Sequence, residues 1–169
     1  MTDPAPSFLV ERLADALLGH DMKVVTAESC TGGGIAHLMT SLPGSSLWFE
    51  RGYVTYSNDA KRENLGVPDA VLERYGAVSE ETAAAMAAGA LAHSHAGIAV
   101  AVTGIAGPEG GTEEKPVGTV CFGWSRREGE TLTTRVRFAG DRGQVREQSV
   151  QMAVQGLLDM LGTAAGEES

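Results

Sequence analysis

Apolar positions along the chain follow helical spacing in some segments and form strand-like runs in others. Between Ser7 and Gly19 the apolar residues recur every three or four positions, which predicts a first helix that Ser7 caps and Gly19 ends. A short apolar run over 22–26 predicts the first strand, and a glycine-rich turn then leads into a helix over about 32–41. The run over 51–56 has the Tyr, Val and Thr content of a second strand.

The rest of the chain continues this alternation of helices and strands. The expected helix caps are Ser57 or Asn58, then Ser79, and finally Asp141 in a capping box with Gln144. The expected strands cover 97–102, then 118–126 and 131–138 as an antiparallel hairpin. The closing helix is expected to end near Met160, and the residues from Gly162 onwards are expected to fray.

Strands that alternate with helices before a final hairpin are typical of an α/β fold. We therefore predict a three-layer α/β/α sandwich with a mixed, mostly parallel sheet and a C-terminal antiparallel hairpin. The chain has 169 residues, of which 43% are apolar and 21% charged, so we expect residues 1–169 to form a single domain.

The charge and the cysteine content narrow the classes of partner. The formal net charge is −9, with 22 acidic and 13 basic residues, which opposes nonspecific binding to nucleic acid and favours a small-molecule partner. Two cysteines are too few for a disulfide framework, and neither they nor the four histidines show the spacing of a metal site. No apolar stretch is long enough for a membrane span and the start lacks a leader pattern, so we expect a cytoplasmic protein without membrane contact.

The glycine-rich turn after the first strand carries the first candidate for chemistry. Ser29 and Cys30 precede Thr31, Gly32 and Gly33 at a strand-turn-helix junction, where open α/β folds place their ligands. The turn would place the Ser29 hydroxyl beside free main-chain N–H groups, which suits acyl transfer or phosphate binding. The alternative is a tight turn without a chemical role.

Lys61 is the second candidate. It falls at about the third position of the helix that Ser57 or Asn58 caps, where the helix dipole disfavours an ammonium and should lower its pKa. A lysine that is neutral near pH 7 could take a proton from Ser29, which would make a Ser-Lys dyad near Tyr56. The alternative for Lys61 is an exposed helix residue.

Two further regions could bind substrate. Arg142 and Arg146 lie in the first turns of the last helix, an unusual place for cations unless an anion pairs with them, so they are candidate phosphate ligands. The turn from Thr103 through Gly104 to Pro108 leaves a third strand at the same predicted edge of the sheet as Ser29. The full candidate set is catalytic Ser29, Lys61 and Tyr56, with substrate-binding Cys30, Thr31, Gly32, Gly33, Thr103, Gly104, Arg142 and Arg146.

These segments resemble those of the CinA C-terminal domain family, which includes stand-alone nicotinamide-nucleotide amidohydrolases. The similar segments are 26–33, 52–58 with Lys61, 102–108, 115–120 and 140–142, which cover nearly the whole chain. The resemblance implies deamidation of nicotinamide mononucleotide (NMN) by a serine nucleophile and a lysine base, with Ser29 and Lys61 at the matching positions. It also implies that Tyr56 and Thr103 line the site, that no cofactor or metal is needed, and that a homodimer is possible.

Longer family members carry an additional N-terminal nucleotide-processing domain, so the resemblance implies a free-standing amidase.

Two other classes of function stay open at this point. A nucleotide-binding regulatory module without catalysis would use the same glycine-rich turns to hold phosphate. A phosphatase is a third class, although its chemistry usually gathers carboxylates around Mg²⁺ and the acidic residues here are dispersed.

Overall fold

Five strands form one mixed sheet in a computed structural model that describes residues 5–162. The strands are β1 (Val24–Glu28), β2 (Phe49–Val54), β3 (Ile98–Gly104), β4 (Thr119–Arg126) and β5 (Thr131–Arg137). They lie in the order β2-β1-β3-β4-β5, and β1 pairs in parallel with both β2 and β3. Because β4 is antiparallel to both β3 and β5, four strands run one way and β4 runs the other. The predicted mixed sheet and its hairpin are confirmed.

Helices cover both faces of the sheet. Within residues 5–162 they are α1 (Pro6–Gly19), α2 (Gly34–Thr40), α3 (Asn58–Leu65), α4 (Asp69–Tyr75), α5 (Glu80–Ala92) and α6 (Arg142–Met160). Alternate residues of β3 point to opposite faces, so Val100 joins the core under α1 and α6 while Ala101 joins the core under α5. This arrangement is the predicted three-layer sandwich. No helix among these is long and apolar enough to cross a membrane.

One predicted boundary of the first helix is wrong. Ser7 does not cap α1, because the helix already begins at Pro6, a residue whose fixed φ suits the first helical position. The helix ends at Gly19 as predicted, and Asp21 takes the positive φ of the following turn. The predicted fraying from Gly162 onwards falls, beyond Gly162 itself, outside the described residues.

The first strand ends two residues later than predicted. The prediction ended this strand at residue 26 and left Glu28 in the turn that follows. In the structure Glu28 is the last residue of β1, and its side chain is fully buried. Its carboxylate accepts hydrogen bonds from Thr31 and from the first turn of α2, which compensates for its burial.

The predicted caps of three later helices are confirmed. Ser57 caps α3 by accepting a hydrogen bond from the Ala60 N–H at 3.0 Å, and Ser79 caps α5 in the same way. Asp141 and Gln144 form the capping box of α6. The cap at Ser57 makes Lys61 the fourth residue of α3, on the turn of helix that follows the exit of β2.

Candidate active site

The ends of three parallel strands meet at Ser29. Its main-chain N–H donates to the Val102 carbonyl at 3.0 Å, and the Thr55 N–H donates to the Glu28 carbonyl at 2.8 Å. These bonds join the ends of β1, β2 and β3, which confirms the prediction that their exits share one edge of the sheet. Ser29 is 7% exposed, so its hydroxyl lies just beneath the surface at that edge.

Lys61 reaches Ser29 from α3. Its side chain is 1% exposed, so the alternative of an exposed helix residue is wrong. The Nζ atom lies 3.1 Å from Ser29 Oγ, 2.9 Å from the Thr55 carbonyl and 3.2 Å from the Tyr56 carbonyl. Burial lowers the pKa of the Lys61 ammonium from its ordinary value. The direction of the shift matches the sequence prediction, which rested on the helix dipole, whereas the cause found in the structure is desolvation of the side chain.

These three contacts define what a neutral Lys61 does. A neutral amine has two N–H bonds and one lone pair. The Thr55 and Tyr56 carbonyls are acceptors only, so each takes a hydrogen bond from one of the two N–H bonds of Lys61. The lone pair is then left for the Ser29 hydroxyl, and none of the ion pairs found within residues 5–162 involves Lys61. The arrangement can therefore hold Lys61 as a base toward Ser29.

Tyr56 takes part through a different group from the one expected. Its main-chain carbonyl accepts from Lys61, whereas its side chain is 60% exposed. The phenol oxygen accepts a hydrogen bond from Arg142 Nη2 at 3.1 Å. The phenol therefore contacts α6 rather than Lys61, and its hydroxyl lies above the site beside an arginine.

A tight turn follows Ser29. The Gly32 N–H donates to the Ser29 carbonyl at 3.0 Å, and Gly32 and Gly33 have φ values of 59° and 102°, which a glycine adopts without strain. Cys30 and Thr31 are the central residues of this turn. Neither main-chain N–H donates to another residue within residues 5–162, and the Cys30 N–H lies beside its own sulfur. Two amides that are not bonded to any other residue in this part of the chain therefore follow Ser29 directly.

The Cys30 thiol is separated from this chemistry. Its side chain packs in the apolar core on the α6 side of the sheet, and it is 6% exposed. Burial raises the pKa of the thiol to about 11. Cys30 therefore contributes its main chain to the turn, while its thiol remains protonated near neutral pH.

Thr31 and Thr103 are both buried, and their hydroxyls are already bonded within the protein. The Thr31 hydroxyl donates to Glu28, and the Thr103 hydroxyl donates to the Ala77 carbonyl at 2.8 Å. Sequence reasoning placed both threonines in substrate binding, but their hydroxyls are committed elsewhere. It missed Glu28, whose signal was an acidic residue directly before a serine and a glycine-rich helix start. Gly104 is packed so closely that an added Cβ would lie 2.9 Å from the Thr119 carbonyl.

The two arginines of α6 contact the loops around Ser29. Arg142 is exposed and donates to the Gly107 carbonyl at 2.8 Å as well as to Tyr56. Arg146 donates to the Thr31 carbonyl at 3.2 Å, and its Nε is buried without a partner in the described part of the chain. Neither arginine is in an ion pair within residues 5–162. Two cations without acidic partners thus stand close to Ser29 in an acidic protein.

Two cavities open beside the first turn of α6. A cavity of about 520 Å³ is lined by Thr31, Gly34 and Arg146, and one of about 700 Å³ is lined by Ala106 and Arg142. Gly143 lines both. Each cavity is therefore bordered by one of the two arginines, and both adjoin the loops that surround Ser29.

The histidines lie outside this arrangement. His20 donates through Nε2 to the Leu161 carbonyl at 3.1 Å, and His93 donates through Nδ1 to the Gly89 carbonyl at 2.8 Å. In the described part of the chain, no three His, Cys, Asp or Glu side chains gather as ligands for a metal ion.

Comparison of the chain with models of known protein families identifies its family. The family model described as the CinA C-terminal domain matches residues 7–161. The chain belongs to the CinA C-terminal domain family. The segments that suggested the resemblance in the sequence, from the turn at Ser29 to the start of α6, all lie within this match.

Several members of the family are close in sequence to this CinA domain. The nicotinamide-nucleotide amidohydrolase PncC of Escherichia coli strain K12 is 50% identical over 157 residues, which are 93% of this chain and 95% of that protein. The protein of the same name from Pseudomonas putida is 52% identical over 155 residues, or 92% of this chain and 96% of that protein. A CinA-like protein of Akkermansia muciniphila is 54% identical over 156 residues, which cover 92% of this chain and 38% of that longer protein.

Solved structures share the fold of this CinA domain. The competence/damage inducible protein CihA of Agrobacterium tumefaciens superposes with a TM-score of 0.91 at 44% identity, covering 96% of this chain and 99% of that one. A CinA superfamily protein of Klebsiella pneumoniae gives a TM-score of 0.89 at 39% identity, with 94% and 98% covered.

Proposed function

We propose that this chain is an amidohydrolase that deamidates NMN to nicotinate mononucleotide and ammonia through a Ser29-Lys61 dyad. The contact of 3.1 Å between Lys61 Nζ and Ser29 Oγ carries the proposal, because it pairs a buried amine of lowered pKa with a hydroxyl at the sheet edge. The names of the PncC relatives, which match over more than nine-tenths of the chain, support the substrate and the reaction.

The first half of the reaction forms an ester. Neutral Lys61 takes the Ser29 proton while Oγ attacks the carboxamide carbon, which gives a tetrahedral oxyanion. The free N–H groups of Cys30 and Thr31 hold that oxyanion; in enzymes where one such donor has been removed, the loss is about 3 to 4 kcal/mol. The C–N bond then breaks, and the Lys61 ammonium returns its proton to the leaving nitrogen, which departs as ammonia.

The second half regenerates the enzyme. Lys61 is neutral again, so it takes a proton from a water molecule that attacks the ester carbonyl. Collapse of the second tetrahedral intermediate releases the carboxylate product, and Ser29 recovers its proton from Lys61. The same lone pair serves both halves, and the carbonyls of Thr55 and Tyr56 keep it aimed at the reacting atoms.

The arginines of α6 supply recognition of the nucleotide phosphate. Arg142 is the stronger candidate, because it is exposed and its two bonds go to the neutral oxygens of Gly107 and Tyr56. The charged oxygens of a phosphate group would take the place of these neutral acceptors and form stronger hydrogen bonds with the guanidinium. Arg146 lies deeper and already holds Thr31, so its role is to support the turn.

The decisive experiment measures ammonia released by the purified protein from NMN, with nicotinamide and nicotinamide riboside as comparison substrates. We expect release from NMN that is insensitive to EDTA. Binding of NMN without ammonia release would favour the nucleotide-binding regulatory module instead. Release of inorganic phosphate that EDTA abolishes would favour a phosphatase.

A further inference from the structure

Glu28 stands directly before Ser29 and is a fully buried carboxylate to which the proposed mechanism gives no role. Its Oε1 accepts hydrogen bonds from the Thr31 hydroxyl at 2.5 Å and the Ile35 N–H at 2.9 Å. Its Oε2 accepts from the Ala36 N–H at 2.9 Å. All three donors belong to the turn after Ser29 or to the first turn of α2.

The carboxylate takes the place of a missing helix cap. α2 begins after Gly33, which has no side chain to cap the free N–H groups of the first turn. Glu28 binds the N–H groups of the second and third helical residues from the strand that precedes the turn. The side chain therefore ties the end of β1 to the start of α2 and fixes the length and direction of the loop between them.

Thr31 transmits this constraint to the turn itself. Its hydroxyl is held by Glu28, and its carbonyl accepts from the Gly34 N–H at 3.0 Å and from Arg146 at 3.2 Å. With its hydroxyl and its carbonyl both held, the side chain and the following peptide plane of Thr31 are fixed. This limits rotation of the preceding peptide plane, which carries the Thr31 N–H. That N–H and the N–H of Cys30 are the two amides after Ser29 that bond to no other residue within residues 5–162.

We propose that Glu28 is a positioning residue, which through the Thr31 hydroxyl fixes the Ser29–Gly32 turn so that the Cys30 and Thr31 amides form the oxyanion hole. The inference rests on the proposed amidohydrolase function and assigns no substrate contact to either side chain. Misplacement of such donors by about 1 Å is enough to lower turnover on the order of a hundredfold.

The test compares Thr31→Val with Thr31→Ser in ammonia release from NMN. Thr31→Val keeps the shape of the side chain and loses the hydroxyl, so we expect kcat to fall about tenfold to a hundredfold with KM within about threefold. Thr31→Ser keeps the hydroxyl, so it should lose less than about threefold. Glu28→Gln should resemble Thr31→Val, and it takes the place of that variant if Thr31→Val has no cooperative melt. Thr40→Val, at the exposed end of α2, controls for the substitution itself.

Two results separate the possible failures. The pH dependence of kcat in Thr31→Val should keep the rising limb of the wild type, because Lys61 is untouched. Equal kcat in Thr31→Val and Thr31→Ser, or a rise in KM alone, would overturn the positioning role, and the second result would assign the Thr31 hydroxyl to substrate binding. Absence of ammonia release by the wild type would instead refute the proposed function.

Discussion

Lys61 Nζ lies 3.1 Å from Ser29 Oγ, although the two residues are 32 positions apart and belong to different layers of the fold. Ser29 directly follows strand β1, while Lys61 lies on α3, which follows the neighbouring strand β2. The parallel pairing of β1 with β2 is what brings them together. The dyad therefore depends on the register of two strands, and either side chain can be changed without altering that register.

Replacement of Ser29 by alanine should abolish turnover. Ser29→Ala removes the attacking oxygen from a turn whose main-chain bonds are independent of the side chain, so we expect ammonia release to fall by at least about 10³-fold. The fold and the binding of NMN should be retained, which calorimetry and thermal unfolding can check. Activity within tenfold of the wild type would rule out Ser29 as the nucleophile.

Replacement of the neighbouring Cys30 is the matched control for Ser29→Ala. Burial raises the pKa of the Cys30 thiol to about 11, and the thiol packs in the core away from the sheet edge. Cys30→Ala keeps the main-chain N–H and should release ammonia within about threefold of the wild-type rate. Wild-type activity should also resist thiol alkylation. Inactivation by alkylation, prevented in Cys30→Ala, would instead point to a thiol nucleophile.

Lys61→Met tests the base. Methionine keeps the length and the apolar stem of the side chain but lacks the amine, so kcat should fall about 10²- to 10⁴-fold. Because burial lowers the pKa of Lys61, wild-type kcat should rise with pH through that lowered pKa as the amine becomes neutral. Lys61→Met should lack this limb, and Lys61→Arg should not restore it, since a guanidinium stays protonated.

Turnover near the wild-type level, with the same pH limb, would remove Lys61 from the mechanism. The search for a base would then move to the Tyr56 phenol, which is 60% exposed. Thermal unfolding of the same samples is the necessary control, because loss of activity together with loss of a cooperative melt has a structural explanation.

The same lysine should make folding stability depend on pH. Its pKa is lowered in the folded state, so between that value and the unfolded reference of about 10.4 the unfolded chain binds more protons than the folded one. Lys61 should therefore raise the free energy of unfolding as the pH rises through this range and lower it as the pH falls. Urea unfolding across that range should show the gain in the wild type and in Ser29→Ala but not in Lys61→Met. If the free energy of unfolding changed with pH in the same way in all three proteins, Lys61 would not be the source of this pH dependence.

The sequence predicted the features that are encoded locally. The caps at Ser57 and Ser79 depend on residues three positions apart, and the hairpin depends on two adjacent runs, so both were predicted correctly. The burial of Lys61 depends on packing between α3 and the sheet, so the sequence predicted the lowered pKa without its burial. Glu28 was missed because its partners belong to a helix start that has no cap of its own.

The last prediction concerns recognition of the phosphate by Arg142. Arg142→Gln removes the charge but keeps a donor on a side chain that is exposed and in no ion pair within residues 5–162. We expect kcat/KM for NMN to fall about 30-fold, or about 2 kcal/mol, as for a charged hydrogen bond. Nicotinamide riboside lacks the phosphate, so it should be a much poorer substrate for the wild type and should lose little further in Arg142→Gln.

The comparison variant is Tyr56→Phe, which removes the phenol oxygen that Arg142 holds at 3.1 Å and leaves the arginine in place. Because the lost partner is neutral and competes with the phosphate for Arg142, Tyr56→Phe should keep the preference for NMN over the riboside. Equal kcat/KM for the two substrates in the wild type would show that no phosphate site exists. If Arg142→Gln lowered kcat/KM for both substrates equally, Arg142 would act on the loops around Ser29 and not on the phosphate. The ratio of the two specificity constants, rather than either one alone, therefore decides where the phosphate binds.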